Sequence, residues 1–286
     1  MKKQHKKNYI VIILILIFIS IIIIAGSFLL YIYTQNYIKI EKIDKRAYNQ
    51  KTEIISQASP IYINNLLIGA VSSEKWVSKD SIYNQGSKVK LEKIDIYDLT
   101  GKIGTYDIKE INNTGKEGNI YIKTNRLAST SEYIGIVSSG KDIVGGQTSI
   151  SNSLARDEAD VIRALGVYKL LNNTVKVNEV YSVTLKNGEN GRIICATSDG
   201  NNKLGLYSTV VYVTDKGSRI IKYCYVKDSK KAVDWPIYSV KFVYDLNSDG
   251  SKEVIIQETN EYETKYAVME YRQNNFYEVL SEKIKI

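Results

Sequence analysis

Between Asp245 and Glu253 the chain sets oxygen-bearing side chains in a regular order: Asp245, Asn247 and Asp249 alternate, Gly250 follows, then Ser251, and Glu253 closes the series. The apolar run Val254-Ile255-Ile256 begins directly behind it. Alternate side chains in such a loop turn inward, Gly250 permits a sharp reversal, and Ser251 can offer its main-chain carbonyl. Three carboxylates, an amide, a carbonyl and water meet the six to eight oxygens that a hard cation such as Ca²⁺ requires. The competing reading of the same residues is an exposed Asp-Gly turn on a hairpin, polar only because it meets water.

Position twelve of the loop is Ile256, where an EF-hand would need a bidentate Glu, and a strand rather than a helix follows. The pattern D-x-[DN]-x-D-G-x-x-[DE] ahead of a strand resembles the calcium loops of the FG-GAP/VCBS-type β-repeat family. The resemblance covers Tyr238 to Leu280 well, and more loosely the segment before it. It implies an extracytoplasmic, calcium-stabilised β fold used for adhesion or recognition, and it implies no reaction.

The loop belongs to one of two similar units, 177–226 and 238–280. The first reads as strands Val177–Leu185, Arg192–Thr197, Leu206–Thr214 and Arg219–Val226, with turns at Asp199-Gly200-Asn201-Asn202 and Asp215-Lys216-Gly217. The second reads as Tyr238–Leu246, Val254–Glu258, Lys265–Arg272 and Phe276–Leu280. Aligning Thr184 with Asp245 gives an offset of 61 residues, and each unit becomes an antiparallel meander the size of a propeller blade. In the first unit the corresponding loop, Thr184 to Arg192, carries Thr, Lys, Gly and Arg where the ligands stood, so it is not expected to bind metal. Two units cannot close a propeller, so they are expected to pack face to face, with a helix covering an open face or edge.

That helix is read over Leu154 to Leu171, with Ser153 as N-cap, Asp157 and Glu158 early, and Leu154, Val161, Ile162, Leu165 and Tyr168 on one packed face. Upstream, 61–139 reads as a smaller β domain. It opens with a hairpin, Ile61-Tyr62-Ile63 and Leu66-Leu67-Ile68 around Asn64-Asn65. Val89–Tyr97, Gly104–Ile108, Asn119–Lys123 and Tyr133–Val137 follow as strands, with clusters such as Asn112-Asn113-Thr114-Gly115 as turns. The expected fold class is thus mainly β: a small β domain, then two four-stranded blade-like units with one packed helix across 140–286.

Tyr9 to Tyr33 holds no charged residue and, as a helix, reaches roughly 37 Å, enough to cross a bilayer core. The apolar stretch runs past Ala25-Gly26-Ser27 and exceeds the length of a cleavable signal, so it reads as a retained single-pass anchor. Lys2, Lys3, Lys6 and Lys7 precede it with no acid among them, which predicts a cytoplasmic tail at 1–8, the span at 9–33, a stalk at 34–60 and the bulk outside. Those four lysines also supply half of the formal charge of +8, and the remaining 35 basic and 31 acidic residues form a mixed surface. Nucleic acid is therefore not an expected partner.

The single histidine, His5, falls in the cytoplasmic tail, which removes His-based triads and zinc centres from the ectodomain. Cys195 and Cys224 lie in strand-like runs, where two small buried hydrophobes are the plainer reading and one disulfide the other. The expected function is a non-enzymatic, membrane-tethered module that binds cell-envelope polysaccharide or another envelope protein. The runners-up are a carbohydrate-active hydrolase with a carboxylate pair, such as Asp234 beside Trp235 or Glu258 with Glu261, and an assembly or signalling subunit.

Overall fold

The computed structural model describes residues 58–286 apart from 73, 84–92, 115–117, 127–131, 138–142, 146, 150–154, 166–174, 187, 199–204 and 228–234. The cytoplasmic tail, the membrane span and nearly all of the stalk lie outside the described residues, as do Ser153, Leu154 and Tyr168 of the expected helix. Among the described residues no helix is long and apolar enough to cross a membrane.

The chain is mainly β, as its alternating and β-branched runs require. The first strands are β1 (Ser59–Ile63), β2 (Leu66–Ser72), β3 (Lys75–Ser78), β4 (Lys93–Asp98), β5 (Gly101–Thr114), β6 (Asn119–Thr124) and β7 (Ile134–Val137), with a short helix α1 (Lys79–Tyr83) after β3. Asn64 and Asn65 both take positive φ, the conformation that a two-residue hairpin turn needs and Asn tolerates, and Ile63 pairs with Leu66 across them. β1 pairs with β2 on one side and β7 on the other, so the order β1-β7-β4-β5-β6-β2 closes on itself as a barrel, with β3 added to β2. Tyr62, Leu67, Ile94, Ile96, Ile108, Ile120 and Ile122 fill its interior. Asn112, Asn113 and Thr114, expected in a turn, instead continue β5 and pair with Tyr121, Ile120 and Asn119. The register established by Ile108 and Ile111 outweighs the turn preference of Asn.

Two further sheets follow. β8 (Gln147–Ser149), β9 (Val175–Thr184), β10 (Asn190–Ser198), β11 (Leu206–Thr214) and β12 (Gly217–Val226) form one, in the order β12-β11-β10-β9-β8. β13 (Ile237–Tyr244), β14 (Glu253–Thr259), β15 (Glu263–Arg272) and β16 (Asn275–Lys285) form the other, in sequence order. Each thus contains a four-stranded antiparallel meander. In both, the fourth strand carries a bulge at its fifth residue, Ile221 in β12 and Val279 in β16. The first loops differ: Thr184 pairs with Asn190 and Tyr244 with Glu253, so Thr184 matches Tyr244, and Asp245 is the first residue of a longer loop. A single offset through Thr184 and Asp245 therefore does not describe the pair.

The layers explain why the central strands read as unbroken apolar runs. Val240, Val254, Ile256, Ala267 and Met269 of the four-stranded sheet pack on Ile193, Cys195, Val210 and Tyr212 of the five-stranded one. Its other face, with Phe242, Ile255, Tyr266 and Val268, packs on Ile61, Ile63, Leu66 and Ile68 outside the barrel. Helix α2 (Ala155–Leu165) covers the far face of the five-stranded sheet, setting Val161 and Leu165 on Val180, Ile194 and Val211. Ile162, expected on that packed face, is 45% exposed. At ~1.5–3 kcal/mol for each fully buried aliphatic side chain, these faces supply the main stabilisation.

Candidate metal centre

The loop 245–253 leaves β13 and enters β14 where three parts of the molecule meet. The Asp245 N–H donates to the Val144 carbonyl at 2.8 Å, and Gly145 bridges to Tyr244. A Cβ at Gly145 would stand 1.9 Å from the Tyr244 ring, so only glycine allows this approach. On the other side the Lys252 N–H donates to the Leu185 carbonyl at 2.9 Å, and Lys186 bridges to Ser251. The loop that lacks the ligand residues therefore pairs directly with the one that has them.

Within the loop, Asp245 accepts main-chain N–H groups from Asp249 at 3.1 Å and from Gly250 at 3.0 Å, one on each carboxylate oxygen. Asn247 Oδ1 also accepts from the Asp249 N–H, at 3.1 Å, and Asp249 Oδ1 accepts from the Ser251 N–H at 2.7 Å. Ser248 and Gly250 take positive φ, of 60° and 83°, which coils the chain around these oxygens. Burial raises the Asp245 carboxyl above its usual range, with the neighbouring Asp249 charge adding to it and the donated N–H groups opposing it.

Glu253 differs from the others in being wholly buried, at 0% exposure. Its Oε2 accepts the Leu246 N–H at 2.8 Å, while Oε1 has no hydrogen-bond partner among the described residues. Burial lifts this carboxyl to about 9, the Leu246 N–H opposes the rise, and Asp249, Asp245 and Glu270 add to it. An unpaired buried carboxylate oxygen costs several kcal/mol, ~1–3 or more, unless a proton or a cation meets it.

The five expected ligand residues thus occupy one coiled loop. Among the described residues, no three His, Cys, Asp or Glu side chains form a group that could hold an ion as they stand. Asp245 and Asp249 are turned to the main chain, yet a carboxylate offers about four lone-pair sites and can serve a cation while keeping an N–H. The donor set is all oxygen, as a hard cation needs, and the orphaned Glu253 oxygen is what a cation would satisfy; on these grounds the residues fit Ca²⁺.

Glu270 and Trp76 went unseen in the sequence reading. Glu270 ends a run, Tyr266 to Met269, that is buried on both faces, and this was the available signal that the acid lies inside. Its Oε1 accepts from the Trp76 indole N–H at 3.3 Å. The acids considered for hydrolysis are placed otherwise. Glu258 lies 2.6 Å from Lys222 and 3.7 Å from Lys265, Glu261 is exposed, and Asp234 lies outside the described residues. Cys195 and Cys224 form no disulfide among the described residues.

No known family model matches this chain, and neither a curated protein nor a solved structure shows significant similarity to it.

Proposed function

We propose that this chain is a membrane-tethered, extracytoplasmic recognition module that binds envelope polysaccharide or another envelope protein, and that one Ca²⁺ in the 245–253 loop stiffens it. The tether rests on the uncharged run Tyr9 to Tyr33 and the lysines before it. The ion rests on one observation above all, the fully buried Glu253 with an unpartnered oxygen at the base of an Asp-rich loop. Bound calcium supplies a cross-link among oxygens that otherwise repel one another. Asp245, Asn247 and Asp249 would offer side-chain oxygens, Ser251 its carbonyl and Glu253 the free Oε1.

The role assigned is binding rather than catalysis. Glu258 is engaged by two lysines. A depression of about 560 Å³ beside α2 is lined by Arg156, Arg163 and Arg192, and Asp160 within it already pairs with two of these arginines.

The decisive experiment is thermal melting of the full-length chain in detergent, with ~1 mM calcium and with chelator. For a dissociation constant near ~0.1 mM, typical of extracellular modules, linkage adds RT ln 11, about 1.4 kcal/mol. That corresponds to a rise of a few degrees. Identical melting across the millimolar range would return the loop to an ordinary Asp-Gly turn.

A further inference from the structure

Glu253 is flanked in the sheet by two residues through which that sheet makes polar contact with the barrel. On one side it pairs with Tyr244 of β13. Tyr244 donates its hydroxyl to the Asp98 carbonyl at the end of β4, and its ring lies tilted against that of Tyr97, with centroids 5.7 Å apart. On the other side, Val254 pairs with Met269, which sets Glu270 of β15 opposite Glu253. Strand alternation points Glu253 and Glu270 to the face that carries Ile255 and Val268, the face packed on the barrel. Glu270 receives Trp76 from β3 and lies 3.3 Å from Arg272.

We propose that ion occupancy of the loop is coupled, through Tyr244 and Glu270, to the seating of the barrel on the four-stranded sheet. This inference rests on the calcium reading and adds a regulated contact to it. A cation at Glu253 Oε1 attracts the Glu270 carboxylate that lies beside it on the same buried face. Glu270 then stays on Trp76, and Tyr244, held from the loop side by the Gly145 bridge, stays on Asp98. The linkage is reciprocal: whatever the ion does for the Trp76 contact, that contact does for ion affinity.

The test uses the full-length chain in detergent micelles, titrated with calcium alone. Calorimetry reads binding and hydrogen exchange reads Lys75–Ser78 and Lys93–Asp98. Trp76 emission is followed in the Trp235→Phe variant, which leaves one of the two tryptophans. Exchange in both strands is expected to slow several-fold on the same saturation curve as binding, with Trp76 emission shifting in parallel. Trp76→Phe is expected to weaken calcium affinity about 5-fold, at the low end of ordinary coupling. Asp249→Ala is expected to abolish every response. Because exchange is read on the unsubstituted chain, a poorly folding tryptophan variant leaves the test intact. Calcium binding with unchanged exchange in both strands overturns the coupling and leaves the metal site standing. No binding up to about 10 mM, beyond the extracellular range, overturns both.

Discussion

Arg192 of β10 meets the Asp160 carboxylate of helix α2 at 2.6 Å and holds Asp157 with its other terminal nitrogen. All three side chains are largely buried, so this ion cluster fixes the helix to the sheet where Val161 and Leu165 supply the apolar contact. Arg192→Met removes the ion-pair partner that Asp157 and Asp160 share, and removing one partner from a buried pair costs ~3–5 kcal/mol. A fall in melting temperature of roughly 10 °C is expected. Arg163→Met, whose side chain is mostly solvent-exposed, should shift melting by about a degree or less.

The two faces of α2 make a matched pair of predictions. Val161→Ala empties a fully buried site and should cost roughly 1–3 kcal/mol, whereas Ile162→Ala, at an exposed site, should stay within about 0.5 kcal/mol. Thermal or urea unfolding of the two variants decides it, and equal losses would mean that the helix is rotated from the orientation described.

Stability should fall in acid through Glu278. Burial resists ionisation of this carboxyl, but hydrogen bonds from Lys222, Lys265 and Ser281 outweigh it and bring it down to about 2. A carboxyl held below its unfolded value, ~4.3, contributes fully above that pH and loses its contribution as pH falls towards 2. Melting followed from pH 5 to pH 2 should decline less steeply in Glu278→Gln than in the unsubstituted chain. Parallel curves would remove the lysine pair as the cause.

Within the loop, Asp249→Ala should erase the calcium-dependent rise in melting temperature, and Glu189→Ala in the partner loop should preserve it. Glu253→Gln gives the sharper result. It keeps the shape but removes a group that is ionised when unfolded and resists ionisation when buried, so it should melt higher than the unsubstituted chain in chelator at neutral pH yet gain nothing from calcium. A normal calcium response in Glu253→Gln would eliminate that carboxylate as a ligand.

Membrane placement is checked by adding protease to intact cells. Residues 34–286 should be digested, while the segment around Lys2 to Lys7 stays protected. Complete protection of the ectodomain would reverse the orientation.

The hairpins were legible because Asn64-Asn65 and the turn at Gln273-Asn274 name their own conformation. The meanders were legible because their strands follow one another in sequence. Barrel closure was not, since β1–β7 and β4–β7 join segments far apart along the chain, and no local pattern encodes that partnership. β3 and α1 are too short to carry a period. The candidate ligand residues could be picked out by spacing alone, but the burial of Glu253 depends on the barrel lying over it. Glu270 became visible beside it only once β15 was paired in register.

The bulges at Ile221 and Val279 fall on β12 and β16, each the outermost strand of its sheet. An outer strand presents unpaired main-chain groups on which another copy could add itself, and a bulge interrupts the even spacing such growth needs. Lys222 and Glu278 stand beside the two bulges and join at 2.5 Å, which sets paired charges on these rims. Neighbouring copies are thereby discouraged from polymerising strand to strand.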